Sequence, residues 1–170
     1  MTSDVVATVA LIQRALLARG ESVAVAESLT GGLVSATLTE PPGSSATFRG
    51  GLVVYAVDLK KSVAGVSAEL LAEHGPVHEE VALALARGAC QVCDADWGLG
   101  TTGAAGPESH GGRPGGTLCA AVVRRGGAGL ARTTHLGGDR TAVRSASVGV
   151  VLAMLAEQLT EWVLPGEARP

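Results

Sequence analysis

Ser28 is the residue of this chain best placed by its neighbours to do chemistry. The run Ser22-Val-Ala-Val-Ala-Glu27 is apolar and β-branched up to its last residue, and Leu29-Thr30-Gly31-Gly32 leads into an apolar segment with helical spacing. That pattern predicts a strand over about 22–27 delivering a serine to the first turn of a helix over about 30–39. The first N–H groups of a helix have no internal partner, and the helix dipole is positive there. A hydroxyl at that point can be a nucleophile beside oxyanion donors, or part of an anion cradle. It can also simply cap the helix, since Ser and Thr are favoured caps. The segment by itself leaves these readings open.

Two further groups could act with it. Tyr55, the chain's single tyrosine, ends a second predicted strand from Phe48, and Lys60 follows five residues later at the start of a short helical piece. A lysine serves as a base when burial or a neighbouring cation lowers its pKa, and a tyrosine hydroxyl can relay a proton. The alternative is a tyrosine at the edge of the core and a surface lysine. Their approach to Ser28 requires the two strands to be parallel neighbours, a distance the sequence does not contain. Near the last helix, Gly138-Asp-Arg140 and Arg144 put two guanidiniums on one helix face. Arginine suits phosphate, and the same pattern also describes a surface face with an Asp cap.

Other constellations carry less. Gly98-Leu-Gly-Thr-Thr-Gly103 matches G-x-G-x-x-G in letters. A dinucleotide fingerprint needs a helix opening at those glycines and an acidic residue about 20 positions on, and neither is predicted. Cys90 and Cys93 form one C-x-x-C pair late in a helical pattern, with Cys119 alone and no second pair for zinc. The four histidines, His74, His78, His110 and His135, form no recognisable ligand set. No metal and no cofactor are therefore expected.

The elements that must hold these residues alternate. A helix with an apolar stripe runs from Ser3-Asp4 to a stop at Gly20, before the first strand. After the second strand come helical pieces near Asp58 and over 68–73, and a long helix from about Pro76 to Cys93. Trp97–Thr101 reads as a buried strand, followed by a Gly/Pro-rich loop to Gly116. A strand from Thr117, a hairpin at Gly126-Gly127 and a strand near 129–135 precede a last helix from about Gly138-Asp139 to Trp162. Alternation followed by a hairpin predicts an α/β fold, a three-layer α/β/α sandwich with a mixed β-sheet. The expected organisation is one domain over 1–164 and a loose tail over 165–170.

Composition bounds the function. The 170 residues are 46% hydrophobic with only four aromatics, so the core is built from Ala, Val and Leu. A net charge of −3 and the lack of a basic patch argue against nucleic acid as partner. The N-terminal apolar stretch is broken by Asp4, Gln13 and Arg14, so it reads as neither signal peptide nor membrane span. Cytoplasm is the expected location, with no membrane partner, and the apolar composition is compatible with a homo-oligomer.

Together, Ala26-Glu-Ser-Leu-Thr-Gly-Gly32, Gly50-Gly-Leu-Val-Val-Tyr55 with Lys60, Thr102-Gly-Ala-Ala-Gly-Pro107, Pro114-Gly-Gly-Thr117 and Gly138-Asp-Arg140 stand in the order and spacing of a known family. The chain resembles the CinA C-terminal domain, the nicotinamide-nucleotide amidase (PncC) family, from about residue 4 to 162. The resemblance implies a stand-alone deamidase converting nicotinamide mononucleotide to nicotinic acid mononucleotide and ammonia. It implies Ser28 as nucleophile, with Lys60 and Tyr55 as base and relay. Thr30, Gly31, Gly32, Thr102, Gly103, Gly106 and Arg140 would surround the nucleotide, with oxyanion donors near Thr30-Gly31. A catalytically weak nucleotide-binding module of the same fold is the competing reading. Three departures bear on it. Val57 stands where the family often has Asn, His78 where it often has Ser, and Glu108-Ser-His110 where glycines are common.

Overall fold

The computed structural model describes residues 2–161. Five strands form one mixed sheet: β1 (Val23–Glu27), β2 (Phe48–Val53), β3 (Trp97–Ala104), β4 (Thr117–Arg124) and β5 (Gly129–His135), in the order β2-β1-β3-β4-β5. β1 pairs parallel with β2 and β3, whereas β4 runs antiparallel to both β3 and β5. β1 is therefore an interior strand, flanked on both sides and buried along its whole length. Its side chains still alternate by face, as a period of two dictates. Val23 and Val25 join the core formed with α1 (Ser3–Arg19), α2 (Leu33–Thr39) and α6 (Arg140–Glu161). Ala24 and Ala26 face the other core, with Val81, Leu85 and Ala89 of α5 (Glu79–Cys93). The expected three-layer sandwich is what the chain forms. The 165–170 tail lies outside the described residues.

Glycines in β3 explain the motif rejected above. A Cβ on Gly98 would stand 1.9 Å from the Ala86 carbonyl oxygen, and one on Gly100 would stand 2.1 Å from that of Ala82. Those glycines let α5 lie directly on the strand. No helix opens there, since β3 continues to Ala104.

Several boundaries differ from the sequence expectation: β2 ends at Val53, leaving Tyr55 just beyond it, and β3 runs on to Ala104 rather than ending at Thr101. The helix after β1 starts at Leu33, not at 30, because Gly31 and Gly32 take positive φ values of 57° and 97°, which a right-handed helix cannot include. Ser28 thus sits in a five-residue turn between strand and helix rather than in the helix's first turn. The long fifth helix begins at Glu79, beyond Pro76, with His78 as its cap. Of the two smaller helices, α3 (Val57–Ser62) carries Lys60, and α4 (Ala68–His74) packs against α5. By length and composition α6 is apolar enough to cross a membrane. Here its Val143, Val151, Leu152, Leu155 and Leu159 are buried in the core shared with α1.

Candidate active site

The parallel pairing of β1 with β2 settles the distance that the sequence left open. Glu27 registers with Val53, and the Val54 N–H donates to the Glu27 carbonyl at 2.8 Å. Both strands therefore end at one level. Ser28 leaves β1 there, and α3 leaves β2 and turns Lys60 back underneath. Lys60 Nζ lies 2.8 Å from Ser28 Oγ, 2.9 Å from the Val54 carbonyl oxygen and 3.3 Å from that of Tyr55. The lysine is only 2% exposed. Burial pushes its ammonium from the ordinary 10.5 down to about 8. A neutral amine fits these partners well. Its two N–H groups can serve the two carbonyls, and its lone pair then faces the serine proton.

Ser28 lines a cavity of about 510 Å³. Tyr55, Ala56 and Val57 form one wall, and Gly103 to His110 form another. Arg140 stands at the rim and donates from Nη2 to the Tyr55 hydroxyl at 3.0 Å. A second cavity of about 450 Å³ shares Ala105, Gly106, Pro107 and Arg140 with the first. A larger one, about 830 Å³, lies among α1, α2 and α6 and is lined by none of the candidate residues.

The turn carrying Ser28 is held from three sides. The Ser28 N–H donates to the Thr101 carbonyl at 2.9 Å. Arg144, on α6, donates to the carbonyls of Leu29 at 3.2 Å and Thr30 at 2.8 Å. The fully buried Glu27 carboxylate accepts from the N–H groups of Gly32, Val34 and Ser35 and from the Ser35 hydroxyl, over 2.6–3.1 Å. That carboxylate, rather than Ser28 or Thr30, caps α2.

The match to known proteins is consistent along the chain. Residues 6–159 match the family model described as the CinA C-terminal domain. The chain belongs to that family. A CinA-like protein of Mycolicibacterium gilvum is 45% identical over 151 residues, which cover 87% of this chain and 35% of the relative. A putative competence-damage inducible protein of Symbiobacterium thermophilum is 43% identical over 159 residues, 87% of this chain and 37% of that one. The chain thus spans about a third of the length of the curated relatives it matches. Among solved structures, a CinA superfamily protein from Klebsiella pneumoniae 700603 superposes with a TM-score of 0.88 at 33% identity, covering 93% of this chain and 99% of that chain. The competence/damage inducible protein CihA from Agrobacterium tumefaciens gives 0.88 at 34%, covering 94% and 98%.

Within this CinA domain, the residues expected around a nucleotide divide into two sets. Gly103, Gly106 and Arg140 line the cavity with Ser28 and Tyr55. Thr30, Gly31, Gly32 and Thr102 do not. The Thr30 hydroxyl is buried against that of Thr101 at 2.8 Å, and the Thr102 hydroxyl donates to the Pro76 carbonyl at 2.6 Å. The Gly32 N–H is taken by Glu27, and Gly31 packs on Arg144, whose Nη2 lies 3.1 Å from where a Cβ would stand. Thr30, Gly31 and Gly32 build the turn, and Thr102 ties β3 to the segment before α5, so none of the four forms the cavity wall. The Tyr55 hydroxyl also lies away from the dyad, on Arg140, so it is not interposed as a relay: Lys60 reaches Ser28 directly, and the tyrosine meets the lysine only through its carbonyl.

Backbone donors for an oxyanion shift accordingly. Among the described residues, none accepts from the N–H groups of Leu29, Ala105 and Gly106, all of which line the cavity. The departures from the family pattern also find places. His78 caps α5, its Nδ1 accepting from the Glu80 N–H at 3.2 Å, which is the work a serine does at a cap. Val57 gives the cavity an apolar wall. The cysteines are not activated: burial pushes Cys90 up to about 11 and raises Cys93 and Cys119 as well.

Glu27 and Arg144 are the residues whose part in the site the sequence reading missed. An acid ending an otherwise apolar strand just before a helix was the available signal for Glu27. For Arg144, whose pattern fits either a phosphate contact or a surface face, nothing local points to the carbonyls of a turn far away in sequence.

Proposed function

We propose that this CinA domain is a nicotinamide mononucleotide deamidase working by acyl transfer through Ser28. The observation that carries the reading is the direct contact of Ser28 Oγ with a buried lysine whose pKa lies near 8. A base poised near the working pH transfers protons efficiently in both directions. Lys60 takes the Ser28 proton as Oγ attacks the carboxamide carbon. The carbonyl oxygen becomes an oxyanion facing the free N–H groups of the cavity. One such donor typically contributes about 3–4 kcal/mol. The C–N bond then breaks, Lys60 returns the proton to the leaving nitrogen, and ammonia departs. An ester remains on Ser28. Lys60 next deprotonates a water, which attacks the ester and releases the carboxylate with the serine restored.

Nucleotide selectivity rests on Arg140, the cation at the rim shared by the two cavities. A charge-assisted hydrogen bond contributes about 1.5–3 kcal/mol. Part of that energy can orient the amide, so a truncated substrate loses turnover as well as affinity. The test is ammonia release from the mononucleotide, from nicotinamide riboside and from nicotinamide. The mononucleotide is expected to exceed the others by about a hundredfold in kcat/KM, at 1.4 kcal/mol per factor of ten. Equal efficiencies on all three would remove the substrate assignment.

A further inference from the structure

We infer that Glu27 is a positioning residue for the nucleophile, acting through Ser35 and the room left for Ser35 by Gly51. The inference rests on the reading of Ser28 as nucleophile and adds what holds it in place. All four partners of the Glu27 carboxylate are donors. Oε2 accepts from Gly32 and Val34 N–H at 2.9 and 3.1 Å, and Oε1 accepts from the N–H and hydroxyl of Ser35 at 2.8 and 2.6 Å. Only a group that accepts at both oxygens satisfies such a site, and an ionised carboxylate does so.

This bonding has a geometric consequence. Glu27 is the last residue of β1 and Ser28 follows it directly. By reaching forward to α2, the Glu27 side chain closes residues 28–31 into a loop of fixed span. Ser28 Oγ is then held at one end of that loop while Lys60 is held independently by α3 and two β2-side carbonyls. The carboxylate is 0% exposed and does not line the cavity, so it has no access to substrate. It acts through the serine alone. Gly51 belongs to the same arrangement. It sits on the neighbouring strand, and a Cβ there would stand 2.0 Å from Ser35 Oγ. The absence of a side chain at position 51 lets the Ser35 hydroxyl occupy the place from which it meets Glu27.

Glu27→Gln preserves size but sets an amide NH₂ against N–H donors whichever way the side chain is turned. Ser35→Ala removes one donor and leaves the rest. The experiment uses the full chain and a small fluorophosphonate probe. Labelling of Ser28 is followed by intact mass, with Ser28→Ala as the blank. This readout depends on the nucleophile and not on any assumed substrate. A misplacement of about 1 Å at a reacting group can cost about a hundredfold. The expected result for Glu27→Gln is therefore a labelling rate at least tenfold below wild type at every pH, with the inflection set by Lys60 still near 8. For Ser35→Ala, a drop of about threefold or more is expected in a variant that still folds and melts cooperatively. If Glu27→Gln does not fold, Ser35→Ala decides. Wild-type labelling rates in the folded variants would overturn the inference while leaving the nucleophile intact. No labelling of the wild type would overturn the nucleophile reading and this inference with it.

Discussion

Two loops face each other across the cavity, and they are built in opposite ways. The turn carrying Ser28 is buried at Ser28, Leu29 and Thr30 and is tied to Glu27, Thr101 and Arg144. The segment from Pro107 to Arg113 is exposed, and its described internal backbone bonds are the two between His110 and Arg113, at 2.9 and 3.0 Å. One side is over-determined and the other is held by little more than its ends. A nucleophile and its base need fixed geometry, because catalysis falls steeply with misplacement. A wall that meets the variable part of a substrate tolerates change. This chain's departure at Glu108-Ser-His110 falls on that tolerant side, while the Ser28–Lys60 pair on the other side is complete.

The comparison breaks most sharply at Ser28. Ser28→Ala is expected to abolish ammonia release from the mononucleotide, on the order of a millionfold in kcat as for other serine nucleophiles. Its cost in stability is small, about 1 kcal/mol for one lost hydrogen bond. Melting and turnover measured on the same preparation separate the two. Retained turnover would mean that the fixed side is only a scaffold.

Lys60 comes next. Lys60→Arg keeps a cation but not a base, since guanidinium stays protonated. A loss of about a hundred- to ten-thousandfold is expected, the usual range for a general base. If Lys60 is the base, the neutral amine is the form that acts. Activity should therefore rise with pH through about 8 and fall about tenfold per unit below it. A profile that is flat between pH 6 and 9 would contradict the assignment.

Arg140 belongs to neither loop and sharpens the contrast from the rim. Arg140→Ala should lower kcat/KM for the mononucleotide by about ten- to a hundredfold, matching one charge-assisted bond. The poor rate on nicotinamide should change little. An equal loss on both substrates would make Arg140 a support for Tyr55, its hydroxyl partner, rather than a phosphate contact.

The smallest effect is expected on the open side. Replacing Glu108 and His110 together with glycine should change kcat less than about fivefold and melting stability by about 0.5 kcal/mol or less, as for exposed positions without partners. A larger loss in kcat would show that this loop orders itself on the substrate.

The same contrast explains what the sequence could disclose. The order of strands and helices was legible because each carries its own period and its own stops, such as Gly20 at the end of α1. Ser28 and Lys60 were legible as types in their places. Their contact was not, because it is made by the parallel register of β1 and β2, which no local pattern encodes. Thr30 and Thr102 misled for a related reason. Each hydroxyl sits in a glycine-rich motif and looks suited to a ligand. Which way it points is decided by partners far along the chain, Thr101 for one and Pro76 for the other. Glu27 was hard to see at the end of a buried apolar strand, where an acid is unexpected until the donors of the next helix are counted.

The most direct test is to look for the ester on Ser28. Wild-type protein mixed with nicotinamide mononucleotide, quenched in acid within one turnover and digested, should yield a Ser28 peptide carrying a nicotinic acid mononucleotide acyl group. The adduct should form as ammonia is released and disappear as the product appears, and Ser28→Ala should yield none. Ammonia released at full rate with no acyl group on Ser28 at any quench time would contradict the account, because water would then be attacking the amide directly.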